Sequence, residues 1–352
     1  MIKHLKLIDD KGTTIFLLKL NYFIPQMDIP QKIFNISSEK EFNELALEIF
    51  RFQYENVTIY RHYIQLINKN ISEINEVTQI PFIPISFFKT HNIHSKNSSF
   101  EKVFKSSGTT GEIQSNHFIQ RLSIYEKSLT TCFELFYGNV KDYVIFALMP
   151  SASENETSSL AYMASKLILS TKNNDSGFYL GKEKELINKI ELYKNTDKRL
   201  LLLGLTYALL DFAENYEPDL NNVIVMETGG MKGKRQELTK AELHKNLCAH
   251  FNISTIHSEY GMTELLSQAY SLGKGIFFCP PWMKAFIRDA NDPFCLLNNN
   301  KTGGINIIDL ANINSCSFIA TDDQGKINDD NSFEILGRLD NSDIRGCNLM
   351  LE

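Results

Sequence analysis

Six consecutive residues, Ser106, Ser107, Gly108, Thr109, Thr110 and Gly111, combine two glycines with four hydroxyl side chains. Glycine lets a backbone approach an anion closely, successive N–H groups can turn inward, and hydroxyls add donors around phosphate oxygens. The chemistry on offer is a cradle for the phosphates of a nucleotide. It is not a Walker A loop, because no lysine follows Gly111. The other glycine-rich stretch, residues 229–234, has Arg235 where that motif needs Ser or Thr. A P-loop NTPase is therefore excluded. Taken alone, the hexamer is more readily read as a plain surface turn.

A second segment, Ser258-Glu259-Tyr260-Gly261-Met262-Thr263-Glu264, sets a turn glycine among an aromatic ring, a hydroxyl and two carboxylates. An aromatic ring can stack on a base, Thr263 can bond a phosphate oxygen, and Glu264 can hold a hard cation through oxygen. The alternative is a strand-to-helix connection capped by polar residues. His117 and His257 each lie close to one of these segments, but an isolated histidine is more often a hydrogen-bonded structural residue, and neither is given a catalytic role. Cysteines at 132, 248, 279, 295, 316 and 347 show no CxxC or Cys/His cluster at metal spacing, so a zinc site or disulfide framework has no support. Reduced thiols in the cytosol are the default reading.

These groups need elements to position them. Residues 37–69 carry apolar positions at spacings of three and four, and Ser38 with Glu41 fits a capping box, which predicts one or two amphipathic helices. Residues 143–149, 199–203, 223–226 and 253–256 read as buried strands, alternating with helical patterns at about 156–170, 181–195, 206–215 and 236–250. Such alternation predicts a mostly parallel sheet whose ligands gather at the C-terminal strand ends. From about residue 275 shorter strands, prolines and turn signals predict a β-rich subdomain.

The chain has 352 residues, 36 Lys+Arg against 42 Asp+Glu, and a net charge of −6. That length implies about two structural units with ample core. A 43% hydrophobic and 22% charged composition is ordinary for a folded protein, and without a basic block nucleic-acid binding is not expected. The N-terminus has no signal-peptide pattern. The longest apolar run, residues 200–210, would span only about 16 Å as a helix, too short for a bilayer.

SSGTTG at 106–111, TGG at 228–230, SEYGMTE at 258–264, TDD at 321–323 and GRLDNSDIRG at 337–346 occur in the order, and near the spacing, of adenylate-forming enzymes. These include acyl-CoA synthetases, luciferases and peptide-synthetase adenylation domains. IPFIPISFFK at 80–89, YGMTELLSQAYS at 260–271, CPPWM and IRD within 279–289, and RGCNL at 345–349 more closely resemble the LuxE-like acyl-protein synthetases of bacterial bioluminescence. The resemblance runs from about residue 36, and the first 35 residues carry no assignable motif. It implies an α/β adenylating large domain of mostly parallel sheets flanked by helices, with a β-rich subdomain. The expected division is a mainly helical 1–100, a nucleotide-binding core at 101–274, a β-rich subdomain at 275–336, and a hinge and cysteine-bearing tail at 337–352.

The same resemblance implies roles. Ser106 to Gly111 would close over the β- and γ-phosphates of ATP. Gly229 and Gly230 would flank the adenine, with Tyr260 stacking on its other side beside Gly261. Thr263 would contact the α-phosphate and Glu264 would coordinate Mg²⁺. Asp323, or its neighbour Asp322, would take the ribose hydroxyls, Arg338 would hold ribose or phosphate, and Asp340 would lie at the hinge. Most adenylating enzymes continue for roughly a hundred residues and bring a catalytic lysine; here twelve residues follow Asp340, a truncation that LuxE-like proteins share. In them a cysteine near the C-terminus accepts the acyl group, and the matching residue is Cys347, whose thiolate Arg345 would favour. The activity implied is ATP-dependent conversion of a fatty or other carboxylic acid to acyl-AMP, then transfer to Cys347 and to a partner such as an acyl reductase. Two alternatives are a ligase acylating coenzyme A or a carrier protein, and a catalytically silent nucleotide-binding scaffold.

Overall fold

The computed structural model describes residues 29–96, 99–107, 113–230, 234–235 and 238–339, together with the backbone of a short hairpin pairing Leu5–Ile8 with Thr14–Leu17. Gly108 to Gly111, Asp340, Arg345 and Cys347 lie outside the described residues.

Two sheets carry the fold. The first has six strands in the order Ala269–Ser271, His257–Tyr260, Val223–Thr228, Arg199–Leu205, Tyr143–Leu148 and Gly177–Phe178. All its pairings are parallel except that of Ala269–Ser271 with His257–Tyr260. Tyr143–Leu148 is buried along its whole length, as is Arg199–Leu205 beyond its first residue, which explains their unbroken apolar runs: both faces are covered by helices. The helices are Leu122–Tyr137, Ser159–Thr171, Glu183–Tyr193, Thr206–Tyr216 and Lys240–Phe251.

One expected strand is displaced. Residues 253–256 form no strand; the chain leaves the preceding helix through Asn252 in the left-handed region (φ 53°), turns, and enters the sheet only at His257. Ser258 then lies opposite Glu227 of the neighbouring strand. The polar letters Ser-Glu-Tyr are thus the strand itself. Their burial is possible because each finds a polar partner, which apolar periodicity cannot register.

The second sheet is built from Ile276–Phe277, Phe333–Arg338, Phe318–Ile327, Thr302–Asp309, Met283–Arg288 and Leu296–Leu297 in antiparallel order. The strand Ile83–Pro84 adds to it in parallel beside Ile319 and Ala320. Gly304 is obligatory within it, since a Cβ there would come within 2.5 Å of the buried Arg288 guanidinium. That guanidinium donates to the carbonyls of Ile305 (2.7 Å) and Thr321 (2.5 Å), fixing the chain just before Asp322 and Asp323.

The N-terminal helix Glu39–Asn56 is capped by the Ser38 hydroxyl, which accepts from the Glu41 N–H at 3.2 Å; Glu41 returns its carboxylate to Ser37 rather than Ser38, so the box is half closed. Its buried Gln53 donates to the carbonyls of Asn312 and Ile313 at 3.1 and 2.9 Å and accepts from the Ser317 N–H at 3.0 Å. Asp309, fully buried, accepts from the N–H groups of Leu266, Ser267 and Ala311 and from the Ser267 hydroxyl. Asp309 thus staples the loop after Glu264 to the second sheet, and Gln53 ties the helix to the segment that follows Asp309.

Candidate active site

At the C-terminal end of Val223–Thr228 the chain turns through Gly229, whose φ of 68° favours glycine, into the exposed Gly230. Thr206, opening the helix Thr206–Tyr216, donates toward the Gly229 carbonyl at 3.2 Å and holds that turn. On the next strand Tyr260 donates its hydroxyl to Asp323 at 2.8 Å, and its ring meets Phe277 and Phe333 edge-on. Asp323 lies opposite Arg338 in the pairing of the last two strands. Arg338 itself reaches Asp322, at 3.6 Å, so the two aspartates have separate partners.

Ser106 and Ser107, the described part of the phosphate-loop candidate, follow the first strand of a hairpin that pairs Lys102–Lys105 with Asn116–Ile119. Ser106 and Ser115 close its stem: the Ser106 N–H donates to the Ser115 carbonyl at 3.1 Å and the Ser115 N–H to the Ser106 hydroxyl at 2.9 Å. The Ser115 hydroxyl in turn bonds the Glu264 carboxyl. Glu264 is buried, which pushes its carboxyl up, while Ser115 and the charges of Lys89 and Arg338 pull it down; burial prevails. Exposed Ser107 follows Ser106 at the hairpin mouth.

The sequence did not reveal what holds Thr263 and Glu264. His117, fully buried, bonds the Thr263 carbonyl through Nδ1 at 2.7 Å and meets the Asn312 side-chain oxygen through Nε2 at 2.9 Å. Asn312 donates to the Glu264 carbonyl at 2.7 Å and to that of Cys316 at 2.9 Å. Both imidazole nitrogens therefore face oxygen acceptors. Burial lowers the ring to about 4 despite these bonds, so at neutral pH it has one proton for two acceptors. His117 acts as a structural residue, as its isolation suggested, but one that sets the backbone of the site. His257 bonds Tyr137 at 3.0 Å, at the start of its strand, remote in sequence direction from the Tyr260 end.

Two acids lie beneath the turn, on either side of the sheet. Burial alone would push Glu227 up, but Lys240 at 2.5 Å, with His244 and Ser258, outweighs it and lowers the carboxyl to about 2. Glu259 forms no ion pair among the described residues; burial and the Glu227 charge raise it to about 7 against the Thr228 hydroxyl at 2.5 Å and the charge of Lys240. A Cβ at Gly261 would come within 2.6 Å of Glu259 Oε1, so any larger residue there would have to displace that carboxyl. The raised value gives a pH signature. A folded-state pKa above the unfolded value contributes stability that is complete below about 4.5 and is lost as pH rises through about 7. Glu259→Gln should remove that slope, so that the wild-type loss relative to the variant, on the order of 3 kcal/mol, disappears in urea titrations at pH 5 and pH 8.

The contacts fall into two groups: Ser106, Ser115, Glu264 and Thr263, framed by His117 and Asn312, and Tyr260 with Asp323, which Arg338 faces across the last strand pairing. The profile of the family described as acyl-protein synthetase, LuxE, matches residues 29–352. The chain belongs to that family. As an acyl-protein synthetase it is a ligase of the adenylate-forming type, the class its ordered motifs implied. A long-chain-fatty-acid–luciferin-component ligase of Aliivibrio fischeri is 25% identical over 370 residues, covering 95% of this chain and 96% of that protein. Among solved structures, 2-hydroxyisobutyryl-CoA ligase in complex with 2-HIB-AMP and CoA superposes with a TM-score of 0.64 at 11% identity, over 87% of this chain and 77% of that one. ATP-bound MatB from Rhodopseudomonas palustris gives 0.51 at 15% identity, over 67% of this chain and 47% of MatB, so the synthetase spans about half the MatB length. These likenesses establish the adenylate-forming fold. Among the described residues of the synthetase, no helix is long and apolar enough to cross a membrane.

Proposed function

We propose that the protein uses ATP to activate a fatty or related carboxylic acid as acyl-AMP, and then transfers the acyl group to the thiol of Cys347 and onward to a partner protein. The observation that carries this reading is the chain of contacts from Ser106 through Ser115 to Glu264, and from Thr263 through His117 and Asn312 back to Glu264. Two motifs about 160 residues apart, at Ser106 and at Thr263-Glu264, share one hydrogen-bonded frame.

Ser106 to Gly111 would take the β- and γ-phosphates, Gly229 and Gly230 with Tyr260 the adenine, and Thr263 the α-phosphate. Asp323 would take the ribose hydroxyls, since Tyr260 already fixes one of its oxygens and leaves the other as an acceptor. Arg338, largely exposed and opposite Asp323, would close on ribose or phosphate, with Asp340 at the hinge beyond it. Glu264 fits a magnesium site: Mg²⁺ is usually bound by one or two carboxylates plus substrate phosphates, and Glu264 presents one buried carboxyl beside the hairpin. When bound, Mg²⁺ would neutralise charge on the phosphates. The chain's own contribution is orientation: Ser115 and Asn312 hold the Glu264 side chain and backbone, and His117 holds Thr263.

A carboxylate is a poor acyl donor because its leaving group would be oxide; as an acyl-adenylate it leaves with AMP, and a thiolate can then form a thioester. The relative's name points to a long-chain fatty acid and a luciferin-system component, which supports a fatty substrate and an acyl-reductase or carrier-protein acceptor. The cytosol is the compartment proposed, where Cys347 would be a thiol. The functional division follows the sequence: 101–274 binding nucleotide, 275–336 completing the ribose side, and 337–352 carrying the thiol.

Carboxylate-dependent exchange of pyrophosphate into ATP, measured across acids of graded chain length, tests the first step. Exchange confined to aliphatic acids is expected. No exchange with any acid rejects the reading and leaves a silent nucleotide-binding scaffold.

A further inference from the structure

The segment IPFIPISFFK, residues 80–89, has no role in the reading above, yet it is anchored against the site at several points. Tyr60 and Tyr63 donate their hydroxyls to the carbonyls of Pro81 (2.6 Å) and Phe82 (2.9 Å). Ile83–Pro84 pairs with Ile319 and Ala320, and the Ile85 N–H donates to the Ala320 carbonyl at 2.9 Å, immediately upstream of Thr321, Asp322 and Asp323. The short helix Phe87–Thr90 follows. Its Phe88 is fully buried, edge-on to His117 with ring centres 5.8 Å apart, and His117 carries the bond to Thr263.

Lys89 is the next residue. Seven other lysines, at 32, 40, 166, 189, 194, 240 and 284, pair with carboxylates. Lys89 is exposed and, among the described residues, its side chain forms no ion pair or hydrogen bond, although its charge acts on Glu264. The backbone that carries this exposed lysine is therefore fixed by a buried ring against His117 and by a strand pairing, near enough for its charge to act on Glu264, with no ion pair to a carboxylate among the described residues.

We propose that Lys89 binds the phosphate chain of ATP beside Glu264 and stabilises it during adenylation; this rests on the adenylation reading. In that step a carboxylate oxygen bonds the α-phosphorus, the bond from that phosphorus to the bridging oxygen breaks, and pyrophosphate leaves with the electron pair. No proton moves. Negative charge remains on the phosphate oxygens throughout, and a lysine ammonium offers three donors to them.

The test compares MgATP and adenosine binding, by calorimetry and ligand-observed NMR, in the wild type, Lys89→Ala and Lys89→Arg. Loss of a charge-assisted bond should weaken MgATP binding roughly 10- to 100-fold in Lys89→Ala, leave adenosine binding unchanged, and be partly restored by Arg. The thermal midpoint should not move, since the side chain is exposed. MgATP binding unchanged in Lys89→Ala, or adenosine binding lost in parallel, overturns the assignment. The exchange assay separates the two claims. A wild type that binds MgATP but exchanges with no acid sinks adenylation while the binding ratio still decides Lys89, and a wild type that does not bind MgATP sinks both.

Discussion

Glu264→Gln should lower pyrophosphate exchange by roughly 10²–10³-fold, the range seen when one preorganised group that stabilises transition-state charge is removed. The substitution keeps the side-chain shape and an oxygen for the Ser115 hydroxyl, and the backbone bond from Asn312 is untouched. It also removes an ionisable group whose charge burial opposes. Stability should therefore hold or rise slightly while activity falls. That divergence is the discriminating result: a purely structural Glu264 would give little change in exchange, or a loss that follows the urea midpoint. Exchange within threefold of wild type would remove Glu264 from the proposed magnesium site.

Cys347→Ser should abolish the covalent acyl-protein altogether and leave exchange intact, because adenylation precedes the thiol. Intact-protein mass after incubation with ATP, Mg²⁺ and an active acid reads both species. The other thiols make the expectation specific. Burial pushes Cys132 well above its usual range and Cys279 and Cys316 up to about 12, and Cys248 is also raised. A thiol held protonated is a poor nucleophile. Cys295 is exposed, so Cys295→Ser is the control and should acylate normally. Acylation persisting in Cys347→Ser but lost in Cys295→Ser would move the acceptor. Transfer to coenzyme A unaffected by Cys347→Ser would favour the plain ligase alternative.

The parts of the site written in contiguous letters were legible. TGG marked the turn at the end of its strand because glycine and hydroxyl residues interrupt an apolar run, and the unbroken apolar strands at 143 and 199 announced a buried parallel sheet. What escaped was the frame. His117 and Asn312 are 195 positions apart, and neither stands in a recognisable spacing with Thr263 or Glu264. A partner brought by tertiary folding leaves no periodicity to read. The strand at 257–260 was misplaced for a related reason: the acids Glu227 and Glu259 are hidden by particular neighbours, Lys240 and Thr228, and average hydrophobicity sees only two charges. The choice between Asp322 and Asp323 became physical only once Tyr260 and Arg338 were seen to take one each.

Gln53, in the first long helix, grips the backbone at Asn312, 259 positions further along. Asn312 is the residue that steadies Glu264. Contacts this distant in sequence form slowly, so a ribosome must release most of the chain before the frame that holds Glu264 can be assembled. A growing or prematurely terminated polypeptide lacking that return stretch would be unable to spend ATP on an acid it could not hand on.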